Sequence, residues 1–391
     1  MHLNTLIIGA GAAGMMCAAH AGPGTLLIDH AKSPGEKIRI SGGGRCNFTN
    51  LYAGPENFLS HNPHFAKSAL ARYTQWDFID LVTKHGIPYH EKTLGQLFCD
   101  TSAKDIIAML RAEMGDTPLW LKTSARDIRH DGKQFHATLM REGNETKITA
   151  KNLVLATGGK SIPKMGATGF AYEVAQQFGL RIIRPRPGLV PLTFGDQFAA
   201  ISGTALDTKV SANGTTFAEA TLFTHRGLSG PAILQASSYW DEGDQISINL
   251  APETDLFQAL KSARQSEGRK ALTTILSNHL PARLVSYLSD TQDLSGNLAD
   301  WSDAKLADLT QTLHHWTLMP GGSEGYRTAE VTLGGIDTDT LSAQTMEAKT
   351  KPGLYAIGEA VDVTGWLGGY NFQWAWSSGW AAGQAIANSR Q

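Results

Sequence analysis

The chain has 391 residues, of which 42% are hydrophobic and 18% charged, and its formal net charge is −2. This composition is typical of a globular protein with a large core, and it excludes a disordered chain, which needs few apolar residues and a high net charge. Because 34 basic residues nearly cancel 36 acidic ones, no global field favours nucleic acid or lipid, although a local basic patch is compatible with it.

The cysteines and the apolar runs indicate the cellular compartment in which the protein is expected. Cys17, Cys46 and Cys99 form neither a disulfide framework nor a CxxC pair, which fits a reducing environment. No apolar run reaches the length of a membrane span, and the first residues have the pattern of a buried strand rather than a signal peptide. We expect a cytoplasmic protein with no membrane partner and no obligate protein partner.

The first thirty residues predict a strand at 3–8, a helix at 12–20 and a second strand at 25–28. The turn between strand and helix matches GxGxxG. Gly9 permits the tight turn, Gly11 lets the backbone approach a pyrophosphate, and Gly14 lets the helix pack on the sheet. Asp29, at the end of the second strand, is placed to bind a ribose hydroxyl. We infer a dinucleotide-binding fold whose helix N-terminus faces the phosphates.

The remaining elements follow from periodicity and from turn residues. Pro185, Pro187 and Pro191 mark a crossover out of the first domain. In chain order we predict a Gly-rich ligand-binding loop or short helix at 31–50, helices at 64–86 and 102–115, alternating strands over 119–156, short strands over 189–250, polar helices over 255–318, a strand pair at 326–338, a buried strand at 354–358 and a final helix at 371–388.

Three further Gly-rich turns indicate whether the bound dinucleotide is FAD or NAD. They are ATGG at 156–159, YAIGE at 355–359 and LGGYN at 367–371. We place all three at strand ends of one sheet, where they describe a cofactor long enough to cross the whole domain, which favours FAD over NAD. A helix N-terminus after Gly369 would stabilise negative charge on a reduced flavin. No second GxGxxG has a strand–helix context, so NAD(P)H is expected only as a transient electron donor.

Several longer strings resemble one family. They are LIIGAGAAGMMCA, GEKIRISGGGRCNFTN, LATGGKSIPKMGATG, HRGLSGP and TMEAKTKPGLYAIGEAVDVTGWLGGYNFQWAWSSGWAAG. They are similar to the BaiN/YhiN-like bacterial FAD-binding flavoproteins, NAD(P)/FAD-dependent or aminoacetone-oxidase-like oxidoreductases. The resemblance implies an α/β, Rossmann-like FAD domain of the two-dinucleotide-binding-domain type, interrupted by a β-rich insert with a helical subdomain. We expect the FAD domain at 1–188 and 336–391, the insert at 189–252 with 319–335, and the helical subdomain at 253–318.

The motifs and the resemblance together predict the residues that contact FAD. Lys37 is included because it can reach the adenylate end, and Tyr370 because it can stack near the isoalloxazine ring; Trp366, outside the set, is an alternative for that stacking. The full set is Gly9, Gly11, Ala12, Ala13, Gly14, Asp29, Lys37, Gly44, Arg45, Ala125, Thr157, Gly158, Gly159, Gly358, Glu359, Gly369, Tyr370 and Asn371. The sequence departs from the family around Phe98-Cys99, where Phe-Pro is more usual.

The candidate catalytic residues are Arg45, Cys46, His225 and Arg226. Three glycines before Arg45 let backbone N–H groups crowd an anion or a flavin edge. Arg45 either holds a phosphate or substrate carboxylate or braces the loop, and Cys46 is either a thiol beside the flavin or a small buried hydrophobe. His225 and Arg226 either line a substrate pocket or are structural. No metal site is predicted, since adjacent histidines at 314–315 are poor ligands.

Three functions are compatible with these features. The main hypothesis is an FAD-dependent oxidoreductase whose flavin is reduced by NAD(P)H or by a small organic substrate; family names point to bile-acid intermediates or aminoacetone. The alternative, from the resemblance, is reduction of a uridine in ribosomal RNA to dihydrouridine. It needs a basic, aromatic-lined surface, for which Arg181, Arg184 and Arg186 form a candidate cluster. A non-catalytic flavin sensor ranks last.

Overall fold

The structure is a computed structural model that describes residues 1–389. No helix in this range is both long and apolar enough to cross a membrane. The strands are β1 (His2–Ile8), β2 (Thr25–Ile28), β3 (Asn47–Asn50), β4 (Phe58–Leu59), β5 (Tyr89–Glu91), β6 (Gln96–Cys99), β7 (Leu119–Trp120), β8 (Thr123–His130), β9 (Phe135–Arg141), β10 (Asn144–Leu155), β11 (Ile182–Gly188), β12 (Leu192–Thr193), β13 (Ala205–Ala212), β14 (Thr215–Thr224), β15 (Gly227–Ser229), β16 (Ile246–Asn249), β17 (Trp316–Leu318), β18 (Gly322–Ser323), β19 (Val331–Ile336), β20 (Leu354–Ala356) and β21 (Thr364–Gly365). The α-helices are α1 (Ala12–His20), α2 (Glu36–Ile40), α3 (Ala66–Arg72), α4 (Gln75–Lys84), α5 (Ala103–Glu113), α6 (Phe170–Gln177), α7 (Pro231–Ser237), α8 (Leu256–Glu267), α9 (Leu272–Leu276), α10 (Ala282–Thr291), α11 (Asp303–His314) and α12 (Tyr370–Asn388).

The chain folds into two compact units. The first unit consists of Met1–Arg186 together with the chain from Val331 onward, and the second unit is Pro187–Glu330. The chain leaves the first unit after Arg186 and returns to it at Val331, so this unit consists of two separate segments. The finer division expected from the sequence, with 253–318 as a helical subdomain of its own, stays a prediction.

Parallel pairing in the first unit gathers four strand ends at one edge of the central sheet. The sheet has the order β7-β2-β1-β10-β9-β8, and β20 also pairs with β10. In the register, Ile8 lies beside both Ile28 and Leu155, and Leu155 lies beside Ala356. These strands are nearly continuous apolar runs, as expected of parallel strands buried on both faces. The segments that follow β1, β2, β10 and β20 therefore start next to one another.

Two helices of the first unit approach each other unusually closely. A Cβ added at Gly379 of α12 would lie 2.5 Å from the carbonyl oxygen of Ala13 in α1, and one at Gly383 would lie 2.9 Å from that of Cys17. Farther along α12, the buried Trp376 ring stacks on Phe78 at 4.4 Å between centroids. Small residues thus set the contact with α1, and aromatic packing anchors the rest of α12.

The segment 64–86, predicted as one helix, is two. Tyr73 has an extended backbone and ends α3. Thr74 then begins α4 with a capping box: its Oγ1 accepts a hydrogen bond from the N–H of Asp77, and the Asp77 carboxylate accepts one from the N–H of Thr74. This reciprocal pairing satisfies the free donors of a new helix start, and it outweighs the continuity of the apolar pattern.

The strand pair predicted at 326–338 is also wrong. Only β19 forms there, and its partner is β11, from the earlier crossover. The residues before it turn instead, since the N–H groups of Thr328 and Ala329 both donate to the carbonyl of Gly325. β19 brings the chain back to the first unit beside β11, along which the chain leaves it. Because β11 is its partner, β19 does not need a second strand from 326–330.

The second unit contains one antiparallel sheet in the order β17-β16-β13-β14-β15-β12-β18. Helix α7 packs on β13 and β14, and helices α8 to α11 lie between β16 and β17 in the chain. The helical segment buries a set of apolar residues, as expected for amphipathic helices: Leu256, Leu260, Leu272, Ile275 and Leu276.

We expect that Gly379→Val destabilises the protein by about 1–3 kcal/mol, because the new side chain must displace the backbone of α1 from a packed core. Chemical denaturation of purified protein measures the free energy of unfolding. Ala307→Val, on the exposed face of α11, is the control. It should lower the free energy of unfolding by only a few tenths of the loss in Gly379→Val. Equal losses in the two variants would show that the contact between α1 and α12 is not tight.

Candidate cofactor site

The turn between β1 and α1 presses glycines against the sheet edge. Gly9 has φ +113°, and a Cβ added there would lie 2.3 Å from the carbonyl oxygen of Ala156. A Cβ at Gly14 would lie 1.8 Å from the carbonyl oxygen of Gly9. Gly11 differs, because nothing lies within 4 Å of its added Cβ. The protein's own packing requires Gly9 and Gly14, whereas the open space at Gly11 suits the approach of a ligand.

The start of α1 offers free donors at this place. Its N-cap, Gly11, provides no side-chain cap, and the first N–H groups of a helix, here those of Ala12 and Ala13, have no partner within the helix. They add to the positive end of the helix dipole, so the turn is an anion-binding site of the kind that holds pyrophosphate.

Asp29 closes the same turn from the end of β2. Its Oδ2 accepts a hydrogen bond from the N–H of Ala10 at 2.6 Å, and its Oδ1 accepts one from Ala31 at 2.8 Å. The N–H of Thr123 donates to the Asp29 carbonyl at 2.8 Å, which ties the start of β8 to this place. Ala125, two residues further on, is buried. The predicted ribose contact of Asp29 and the cofactor contact of Ala125 stay predictions.

The ends of β10 and β20 form the second part of the site. Gly158 and Gly358 both adopt positive φ, +73° and +63°, so the backbone turns sharply after each strand. The Thr157 Oγ1 is buried and has no hydrogen-bond partner among residues 1–389. A buried hydroxyl without a partner is uncommon and costs free energy. It marks a position where a polar group of a ligand is expected.

Lys37, Ser161 and Glu359 form a hydrogen-bonded cluster beside these strand ends. The Lys37 ammonium donates to Glu359 Oε2 at 2.8 Å and to Ser161 Oγ at 2.7 Å. Glu359 Oε1 accepts from the Ser161 hydroxyl at 2.9 Å and from the N–H of Thr332 at 2.8 Å. The sequence predicted Lys37 and Glu359, each as a cofactor contact. It missed their mutual bond, and it missed Ser161 and Thr332, which belong to no recognisable motif.

The cluster keeps Glu359 ionised. Burial alone would raise the pKa of this carboxyl, but the Lys37 charge and the hydrogen bonds from Lys37, Ser161 and Thr332 outweigh it and hold the pKa below its ordinary value. The side chains of Lys37 and Glu359 are 32% and 19% exposed, so the pair is partly screened by solvent. A cofactor lying here would meet a neutral ion pair rather than a bare carboxylate.

The loop before β3 is built almost entirely of left-handed backbone. Gly42, Gly43 and Gly44 have φ of +56°, +66° and +87°. The Arg45 side chain is exposed and makes no hydrogen bond or ion pair within the described part of the chain. Its backbone carbonyl accepts from the N–H of Cys99 at 2.9 Å. The main chain of Arg45 therefore braces the loop, and its guanidinium is left available.

Cys46 and Cys99 are both fully buried. Burial raises the pKa of the Cys46 thiol far above its ordinary range, and burial with the nearby Asp105 and Asp100 raises that of Cys99 to about 12. Protonated, solvent-shielded thiols are poor nucleophiles. The geometry supports the packing interpretation of Cys46 and gives its catalytic interpretation no support.

The Gly-rich turn at 367–371 does not end a strand of the central sheet, so the prediction that all three turns share one sheet is wrong. It follows β21, which pairs with β4 in a separate two-stranded sheet. Asn371 closes the loop by accepting from the N–H of Gly365 and donating to its carbonyl, both at 2.8 Å. Gly369 then packs on β3, where a Cβ would lie 2.4 Å from the carbonyl oxygen of Thr49.

Helix α12 starts at this loop without a side-chain cap, because its N-cap is Gly369 at φ +96°. Tyr370 is buried, and its ring lies edge-on to Phe58 and Trp366. The aromatic residues at the helix start therefore pack with each other, and the positive end of the helix dipole at Gly369 favours an anionic group nearby.

His225 and Arg226 lie in the second unit, in the turn between β14 and β15. Both are exposed. The turn is held by Thr224, whose Oγ1 accepts from the N–H groups of Arg226 at 3.3 Å and Gly227 at 3.1 Å. Their role at a substrate pocket stays a prediction.

The residues of the first unit fit FAD. The open cradle at Gly11 and the free N–H groups of α1 suit a pyrophosphate, and the unpartnered Thr157 hydroxyl suits a buried polar atom of the nucleotide. No cluster of His, Cys, Asp or Glu in residues 1–389 is arranged to hold a metal ion.

We expect Gly11→Ala to weaken FAD binding at least about tenfold, or roughly 1.4 kcal/mol, while the apoprotein keeps its melting temperature, because the added methyl meets no protein atom. FAD titration of the apoprotein by flavin fluorescence measures the affinity. Gly14→Ala is the contrast: it should lower the melting temperature of the apoprotein itself. Unchanged affinity in Gly11→Ala would place the pyrophosphate elsewhere.

Lys37→Met should destabilise the protein by about 1–3 kcal/mol at neutral pH, because it leaves the Glu359 carboxylate half-buried without its charge partner. Since the folded-state pKa of Glu359 lies below its ordinary 4.5, the stabilisation is present above that pH and is lost as the pH falls through the folded-state value. The free energies of unfolding of Lys37→Met and the wild type, measured at several pH values, should therefore converge in acid. Lys32→Met, at an exposed lysine with no ion pair within residues 1–389, is the control and should show no such pH dependence.

The proteins to which the chain is similar include two relatives whose names state different activities and one solved structure. The chain is 52% identical over 398 aligned positions to the ribosomal RNA dihydrouridine synthase of Escherichia coli K12, covering 98% of each. It is 27% identical to the 3-dehydro-bile acid delta(4,6)-reductase of Clostridium scindens, covering 97% of this chain and 98% of that one. A 3-ketosteroid-delta4-(5alpha)-dehydrogenase structure from Rhodococcus jostii RHA1 matches with a TM-score of 0.54 at 14% identity, covering 99% and 97% of the two chains, which shows a shared fold.

The family model described as the HI0933-like protein Rossmann domain matches residues 3–385. This match confirms the predicted family resemblance, the Rossmann-like α/β fold class and FAD as the cofactor. It also fits a flavoprotein oxidoreductase. The chain belongs to the HI0933-like Rossmann family of FAD-binding proteins.

Proposed function

We propose that this protein is an FAD-dependent reductase that converts a uridine of ribosomal RNA to dihydrouridine. The observation that carries the proposal is the 52% identity to the Escherichia coli enzyme of that name over 98% of both chains. The alignment therefore includes residues of both compact units. Of the three functions compatible with the sequence, this is the alternative to the main hypothesis.

The chemistry is compatible with the site. Uracil has a C5=C6 double bond conjugated to the C4 carbonyl, and its reduction needs a hydride at one carbon and a proton at the other. Bound FAD, once reduced, supplies the hydride. The chain has to orient the base, hold its carbonyl oxygens and keep water out. The bile acid reductase relative, as named, also acts on carbon–carbon double bonds of its substrate, so one cofactor geometry would serve both.

Arg45 is the residue best placed to hold the substrate. Its guanidinium is exposed and has no carboxylate partner within the described residues, and it follows Gly43 and Gly44, where an added Cβ would meet no protein atom closer than 3.9 Å. A guanidinium donates two parallel hydrogen bonds to a carbonyl pair or to a phosphate. The N-terminus of α12 would favour negative charge on a reduced cofactor ring.

The predicted basic cluster contributes less than expected to RNA binding. Arg181 forms ion pairs with Asp337 and Asp339, so its charge is already compensated. Arg184 is exposed and Arg186 is half-buried. Together with the near-neutral net charge, this favours recognition by shape and stacking over strong general attraction to phosphate.

The proposal is tested with ribosomal RNA transcribed in vitro, which carries no modification. The FAD-loaded protein is incubated with this RNA and NADH or NADPH without oxygen, and the RNA is digested and analysed by mass spectrometry. We expect a nucleoside heavier than uridine by two hydrogen atoms. A parallel reaction contains a conjugated steroid ketone. Reduction of the steroid with untouched RNA would contradict the proposal and favour a small-molecule reductase.

Arg45→Gln should lower dihydrouridine formation at least about tenfold, equivalent to roughly 1.4 kcal/mol, without changing the melting temperature, because no described side chain depends on it. Initial rates on the transcript measure the effect. Arg129→Gln, at another exposed arginine without an ion pair in residues 1–389, should leave the rate unchanged. If both variants match the wild type, Arg45 does not contact the substrate.

A further inference from the structure

Two large apolar side chains of the first unit stand exposed next to each other. Tyr52 is 65% and Leu94 56% exposed. Tyr52 follows β3, and Leu94 lies in the turn between β5 and β6. The two turns are joined because the N–H of Leu51 donates to the carbonyl of Gly95 at 2.8 Å. We call this pair of side chains the Tyr52 patch.

The Tyr52 ring is held in place even though most of it is exposed. Gly95 has φ +76°, and a Cβ added there would lie 2.7 Å from Cδ2 of Tyr52 and 2.9 Å from its Cε2. The ring therefore packs on the backbone of Gly95. A residue with a Cβ at position 95 would clash with the ring in this place. The Tyr52 N–H also donates to Asn50 Oδ1 at 2.9 Å. A ring fixed in this way loses little conformational entropy when a second flat group stacks on it.

Asn50 connects the Tyr52 patch to the cofactor site. This side chain is buried. Its Nδ2 donates to the carbonyl of Leu94 at 3.0 Å and to that of Gly368 at 2.9 Å. Gly368 directly precedes Gly369, the N-cap of α12. One buried amide thus fixes both turns of the patch relative to the loop where the cofactor ring is expected.

Both signs of charge lie at the patch: the exposed Glu91 carboxylate accepts a hydrogen bond from the N–H of Gly95 at 3.2 Å, and unpaired cations stand on either side. Lys92 lies in the same turn as Leu94, over the ring of Phe98, with 5.6 Å from its Nζ to the ring centroid. It has no carboxylate within ion-pair distance among residues 1–389. Arg45, at the opposite end of β3, is likewise unpaired in that range. Unpaired cations along a strand that ends in an exposed aromatic ring are the usual elements of a single-stranded nucleic acid site.

We propose that the Tyr52 patch stacks an unpaired base of the RNA substrate adjacent to the target uridine, while Lys92 contacts its phosphate. The inference rests on the proposed function and names the surface by which that site takes RNA. A second copy of the chain fits the patch poorly. The two side chains expose at most roughly 300 Å², whereas a stable dimer needs about 800 Å² from each partner.

The test compares Tyr52→Ala, Tyr52→Phe and wild type as FAD-loaded proteins. Tyr52→Ala should raise the KM for the ribosomal RNA transcript about 5- to 100-fold, the range for loss of one base stack, with the flavin absorption spectrum unchanged. Tyr52→Phe keeps the ring and should behave as the wild type. Met319→Ala, at an exposed apolar residue of the second unit, is the control. Fluorescence anisotropy of a labelled RNA fragment gives the affinity in parallel.

Each outcome has a distinct meaning. If the wild type forms no dihydrouridine, the proposed function is overturned. The anisotropy measurement of RNA affinity, wild type against Tyr52→Ala, then tests by itself whether the Tyr52 patch binds RNA. A wild type that forms dihydrouridine, with Tyr52→Ala equal to it in KM and affinity, overturns the inference only. An altered flavin spectrum in Tyr52→Ala would assign the ring to cofactor support instead. Conversion of a wild-type dimer to monomers by the substitution would identify a second copy as the occupant.

Discussion

The packing of α1 directly on the ends of β1 and β10 is the constraint on which the rest of the site depends. Because Gly9 and Gly14 lack a Cβ, the helix begins at the sheet edge itself, and its first N–H groups are left there without partners. Helix α12 presses on the same helix through Gly379. An anion-binding helix end held by both a sheet and a second helix has a fixed position before any ligand arrives, which lowers the cost of binding.

A few polar side chains join parts of the first unit that are more than 300 residues apart in the chain. The Lys37–Glu359 ion pair, the Asn50–Gly368 hydrogen bond and the bond of 2.6 Å from the Thr49 hydroxyl to Gln373 all connect the segment around β3 to the C-terminal segment. Each leaves a buried group unsatisfied if its partner is lost. The Gly-rich loop before Arg45 and the start of α12 are therefore fixed relative to each other by chemistry as well as by packing.

The local parts of this site were predictable from sequence, and the non-local parts were not. Gly9, Gly14 and Asp29 occur at fixed short spacings because one turn imposes their roles. Ser161 and Thr332 acquire theirs only from the placement of β19 near the end of β10, which no local pattern encodes. The misplaced turn at 367–371 has the same origin, since membership of a sheet depends on a partner far away in the chain, here β4. The sequence left Cys46 as either a thiol beside the flavin or a small buried residue, and its burial in the structure supports the second interpretation.

The order of the chain also has a consequence for biosynthesis. The β1–α1–β2 segment is made before the second unit, whereas β20, Glu359 and α12 are made only after the entire second unit has been translated. Until then the last residues of β10 lack their neighbour β20, and the surface of α1 that α12 covers is bare. Such an uncovered strand edge and apolar helix face invite aggregation. The complete cofactor site therefore exists only after α12 has been made, and this strand edge and helix face stay uncovered until then.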